Sequence, residues 1–166
     1  MHYLSNYWQR KPVKFGSFAI PGHPEGARLY TGRPVAANSS DTGSAPLILV
    51  VDDNLDAREM YAMYLEYEGF RVIQAENGHE AVEKTAANLP SLVLMDASMP
   101  RMDGWDAVRV LKADPRTSRI PVLMLTGHAY DEHRSKAAAV GADGFLAKPV
   151  LPDELAREVR RVLQLT

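Results

Sequence analysis

The chain has 166 residues, 46% of them hydrophobic and 24% charged, enough apolar mass for one soluble domain of ordinary size plus an appendage. It contains no cysteine, which excludes disulfides, thiolate metal sites and thiol nucleophiles. The formal net charge of -2 is unevenly spread: residues 1–46 carry Arg10, Lys11, Lys14, Arg28 and Arg33 against Glu25 and Asp41, so the remaining 120 hold 14 basic and 19 acidic groups, a balance with no electrostatic reason to grip nucleic acid.

Residues 1–45 sustain neither helical nor strand periodicity. Tyr3, Tyr7, Trp8, Phe15, Phe18 and Tyr30 lie scattered among basic residues, and the run 36–44 has the composition of a flexible linker. A largely disordered tail at 1–45 and a folded domain at 46–166 are therefore expected. No apolar run approaches the ~20 residues of a membrane-crossing helix, and no leader pattern precedes the domain, so a cytoplasmic location is expected with no membrane partner.

From Leu47 the pattern alternates strand and helix five times. Leu47–Val51 is a continuous apolar strand; 56–67 is helical, with Ala57, Tyr61, Tyr64 and Leu65 on one face and Gly69 as a stop. A strand over 70–75 and a helix over 79–88 follow, then a strand at 92–95 and a helix at 105–112. A strand at 122–125 precedes a helix over about 132–140, and the short strand Gly144–Ala147 leads to a last helix at 152–163. Met60, Met63 and Met124 occupy positions compatible with gap-filling in the core. Apolar strands separated by amphipathic helices predict an α/β fold: a doubly wound parallel sheet covered on both faces.

In such a sheet, ligands bind beyond the carboxyl ends of the strands. Strand one ends in Asp52-Asp53, strand three in Asp96, strand four in Thr126, and strand five is followed by Lys148. Singly, each is an ordinary turn or cap residue; Asp52, Asp53, Asn54 and Asp56 all compete to cap the first helix. Together, three carboxylates at one edge would repel one another unless a cation joined them. Oxygen ligands without His or Cys suit Mg²⁺, which binds through few carboxylates and favours phosphate oxygens. A carboxylate can itself be the nucleophile that forms an aspartyl phosphate, with metal and lysine neutralising the transferred group.

The strings Val50-Val51-Asp52-Asp53-Asn54, Leu94-Met95-Asp96-Ala97-Ser98-Met99-Pro100-Arg101-Met102-Asp103-Gly104, Leu125-Thr126-Gly127 and Phe145-Leu146-Ala147-Lys148-Pro149 resemble those of response regulator receiver domains of two-component signalling. The resemblance spans 47–166 and implies the flavodoxin-like strand order 2-1-3-4-5. It also implies Asp96 as phosphoacceptor, with Mg²⁺ held by Asp53, Asp96 and the Ser98 backbone carbonyl and by Asp52 through water. By the same resemblance Lys148 pairs with the phosphoryl group, Thr126 and Phe145 form the switch, and Lys148-Pro149 is a cis peptide. Gly104 is expected to supply a backbone angle that other residues resist. Ser98 and His128 fall at positions that influence phosphoryl lifetime in this family, although a loop histidine facing solvent is the simpler reading of His128.

The implied function is a phosphorylation-controlled switch or phosphorelay carrier. Its phosphoryl donor would be a histidine kinase or histidine phosphotransfer protein, and a downstream protein would read the face formed by the fourth and fifth helices and the fifth strand. On that face Ala137-Ala138-Ala139 offers either a docking surface or simply strong helix propensity. Only about a helix follows Lys148, so no output domain is expected there. The alternative, a metal-dependent phosphohydrolase with Asp96 as nucleophile, needs an acid beside Asp96 and a cap over substrate; Ala97-Ser98 supplies no such acid. Multiple turnover on an external substrate is therefore not expected.

Overall fold

The computed structural model of the chain describes residues 45–127 and 139–165. Nine elements run in the order β1 (Leu47–Val51), α1 (Leu55–Tyr67), β2 (Arg71–Ala75), α2 (Gly78–Asn88), β3 (Leu92–Asp96), α3 (Gly104–Ala113), β4 (Val122–Thr126), β5 (Gly144–Ala147) and α4 (Pro152–Val162) among the described residues. The expected tail at 1–45 lies outside them except for Ala45, as do His128 and most of the helix expected at 132–140, of which residues 139 and 140 are helical.

The sheet is wholly parallel, in the order β2-β1-β3-β4-β5. Register brings Val51 opposite both Ala75 and Met95, Asp96 opposite Leu125, and Thr126 opposite Ala147. The chain ends of the strands thus line one edge.

Alternate residues of each strand feed two cores. Leu49, Val51, Val93, Met95, Val122 and Met124 pack with Trp105, Val108 and Leu111 of α3 and with Ala81 of α2. Ile48, Val50, Leu92, Leu94, Leu123 and Leu125 pack with Tyr61 and Leu65 of α1 and with Leu155 and Val159 of α4. Double coverage is why these strands read as unbroken apolar runs rather than alternating ones.

Side-chain caps fix the starts of α1, α2 and α3. Asn54 wins the competition before α1, accepting from the Ala57 N–H at 2.9 Å; Asn77 accepts from Glu80 N–H and Asp103 from Asp106 N–H at 3.0 and 2.8 Å. Met124 is buried as expected, but Met60 and Met63 are 40% and 57% exposed. At about 100° of rotation per residue, Met63 falls opposite the Tyr61–Leu65 stripe and Met60 well off it, so neither fills the core. Among the described residues no helix is long and apolar enough to cross a membrane.

Candidate functional site

At the strand-end edge, Asp52, Asp53 and Asp96 each bring a carboxylate oxygen within 4.8 Å of the others. Asp52 is 1% and Asp96 5% exposed, whereas Asp53 faces solvent. Lys148, immediately after β5, reaches across the edge to both buried acids: Nζ lies 2.7 Å from Asp52 Oδ2 and 3.2 Å from Asp96 Oδ1. Chain neighbours hold the carboxylates in place. The Asn54 N–H donates to Asp52 Oδ1 at 2.9 Å and the Ser98 N–H to Asp96 Oδ1 at 3.3 Å.

The electrostatics follow from this crowding. Burial pushes the Asp96 carboxyl above its usual range; Lys148 pulls it back, and the neighbouring Asp52 adds to the rise. Burial works against the Lys148 charge as well, but the hydrogen bond to Asp52 and the field of Asp96 outweigh it, and its pKa stands above the usual lysine value. One ammonium therefore serves two acids, and with all three carboxylates ionised the cluster keeps an excess of two negative charges. Beneath them lies Tyr61, 4% exposed, whose phenol is raised mainly by burial and further by Asp52 and Asp96 against the pull of Lys148.

Thr126 ends β4 with 2% exposure, and its carbonyl accepts from the Lys148 N–H at 2.7 Å. Phe145 pairs with Met124 in the ladder and packs, partly buried, against the core shared with α2 and α3. Ser98 is exposed on the loop after β3. Lys148-Pro149 is a cis peptide.

That loop corrects one expectation. Gly104 is not needed for an unusual backbone angle: the left-handed residue of the loop is Arg101, at φ 71°. Gly104 is needed for space, because a Cβ there would stand 2.0 Å from the Asp96 carbonyl oxygen. The Gly104 N–H, in turn, donates to Ala97 O at 3.1 Å, so the start of α3 sits directly on the end of β3.

Two contributors went unread in the sequence. Met102 packs on the start of α2 so tightly that a Cβ on Gly78 would meet its Cγ and carbonyl oxygen at 2.7 Å. Arg58, in the first turn of α1, donates from Nη1 to the Asp52 carbonyl at 2.6 Å. A contact to a main-chain oxygen leaves no pairing signal in a sequence.

The donor set fits a hard divalent cation: oxygen ligands only, three carboxylates clustered around a single ammonium whose one charge is shared by the two buried members. A phosphate would find the same ammonium.

Comparison with known proteins agrees with this reading. The family model described as response regulator receiver domain matches residues 48–160. The phosphate regulon transcriptional regulatory protein PhoB of Pseudomonas aeruginosa is 37% identical over 119 residues, covering 72% of this chain and 52% of that protein. Response regulator Rre1 of Synechocystis is 38% identical over 117 residues, 70% of this chain and 51% of that protein. The chain thus spans about half the length of these relatives. Among solved structures, chemotaxis protein CheY4 of Vibrio cholerae aligns at TM-score 0.69 with 32% identity, over 72% of this chain and 99% of that one. The receiver domain of sensor histidine kinase PA1611 of Pseudomonas aeruginosa, solved with a magnesium ion in its active site cleft, aligns at TM-score 0.68 with 30% identity, over 73% and 99%. With the five-stranded parallel order β2-β1-β3-β4-β5 and the acidic edge already in place, the chain belongs to the response regulator receiver domains, the phosphorylation-controlled signalling modules of two-component systems.

Proposed function

We propose that Asp96 is the phosphoacceptor of a receiver occupying residues 46–166, and that its phosphoryl donor is a histidine kinase or histidine phosphotransfer protein. The observation that carries this reading is Lys148 lying between Asp52 and Asp96 with Asp53 completing the acidic cluster. Asp53, Asp96 and the Ser98 carbonyl would hold Mg²⁺, with Asp52 contributing through water. The ion supplies charge neutralisation on the phosphoryl oxygens.

The protein's own residues do the rest. An Asp96 carboxylate oxygen attacks phosphorus in line as the P–N bond to the donor imidazole breaks, and that imidazole leaves with the electron pair and takes up a proton. Lys148 turns to an equatorial phosphoryl oxygen, and the Ser98 N–H is already aimed at Asp96. Added charge draws the Thr126 hydroxyl inward, and Phe145 repacks toward the vacated space. The altered surface then changes affinity for a downstream protein, which requires differential binding to the two states. The product is one phosphoryl group per chain rather than turnover on an external substrate.

Incubating the chain with acetyl phosphate and Mg²⁺ and measuring intact mass tests this. One phosphoryl addition is expected, absent in Asp96→Asn and absent with EDTA. Uptake that survives either change refutes the assignment.

A further inference from the structure

The end of β1 is anchored at more points than a turn requires. The Asp52 N–H donates to Ala75 O at 3.3 Å, and its carboxylate is held by the Asn54 N–H at 2.9 Å and by Lys148 at 2.7 Å. Its remaining polar atom, the carbonyl oxygen, accepts from Arg58 Nη1 at 2.6 Å. The other edge of the same guanidinium donates from Nε to Gln74 Oε1 at 3.3 Å, and the Gln74 carbonyl accepts from Lys84 Nζ at 2.7 Å. A planar fork thus ties the strand end to β2 from a helix one turn further on.

The peptide joining Asp52 to Asp53 is planar, so a hydrogen bond that fixes its oxygen also fixes the direction in which Asp53 departs. Asp53 is the exposed member of the acidic cluster and depends most on its backbone for orientation. We propose that Arg58 is a positioning residue that aims Asp53 at the metal position by clamping the Asp52 carbonyl, an inference that rests on the reading of this cluster as a Mg²⁺ site.

The sign of the effect separates this role from others. A guanidinium beside the cluster repels a divalent cation, so if its charge were what mattered, removing it would tighten binding. If Arg58 only braced the fold, its loss would lower the melting temperature and leave affinity unchanged. Positioning alone predicts weaker binding on loss of a positive charge.

The test is calorimetric titration of Mg²⁺ into the full chain, with melting temperatures taken on the same samples. Arg58→Ala is expected to weaken Mg²⁺ by about 10-fold, the range seen when groups supporting metal ligands are removed. Arg58→Lys, which keeps the charge and a donor on a long stem, should recover most of that loss. Gln74→Ala, an exposed change that frees the second edge of the fork, should weaken binding in the same direction by less. Unchanged or tighter binding in Arg58→Ala overturns the proposal; should that variant fail to fold, unchanged binding in Gln74→Ala overturns it instead. Absence of Mg²⁺ binding in the unaltered chain removes the metal site itself and this inference with it. Loss of binding in Asp53→Asn, with Arg58→Ala unaffected, removes only the role of Arg58.

Discussion

Asp96 is costly to the fold in the form its chemistry needs. Burial, helped by Asp52, raises its pKa despite Lys148, so the native state holds the proton more readily than the unfolded chain does. Its stabilising contribution is complete below the ordinary carboxylate pKa and is lost as pH rises through the native value. Asp96→Asn should therefore melt higher than the unaltered chain at neutral pH, with the gain vanishing in acid below the ordinary carboxylate range; thermal melts at the two pH values check this. Lys148 works in the opposite sense. Lys148→Ala leaves two nearly inaccessible carboxylates without a cation, and should cost about 3 kcal/mol by urea denaturation as well as phosphoryl uptake by mass.

At the level of elements, strands and helices were legible because each carries its own signal: apolar runs for doubly covered strands, apolar stripes for helices, Gly or Pro where a helix stops. β1 and β5 fall on their expected residues, α3 is longer by one residue at each end, and the other described elements differ by one residue at one end. What could not be read was contact between elements. Which of four polar residues capped α1 depended on geometry, and Asn54 prevailed. Met60 and Met63 were placed inward by composition, yet α1 turns them out because Tyr61, Ala62 and Leu65 already face the sheet. Gly104 was recognisable as essential, but for the wrong reason: its lack of a side chain lets α3 begin against β3. Gly104→Ala should accordingly cost about 3 kcal/mol even though its backbone angle is ordinary, a loss measurable in chemical denaturation. The Arg58 and Met102 contacts engage main-chain atoms, and no residue pattern announces those.

At the largest scale, the described residues form two cores sharing one sheet, and the sheet couples them. Leu94 and Met95 are adjacent in β3, both fully buried, and point into different cores. Leu94→Ala and Met95→Ala should each cost about 3 kcal/mol and displace one common unfolding transition, whichever face is emptied; two separable transitions by circular dichroism would show that the halves unfold independently. The parallel pairing of β4 with β5, which sets Thr126 beside Ala147 and the next amide onto Thr126, has a consequence for how this chain tolerates gain or loss of residues. Position across the sheet is counted inside each strand and not along the connecting chain. A lengthened or shortened connection between β4 and β5 lets the same partners meet again, whereas deleting a single residue within β5 delivers Pro149 to the place where an amine is needed and turns the strand's outward and inward residues about.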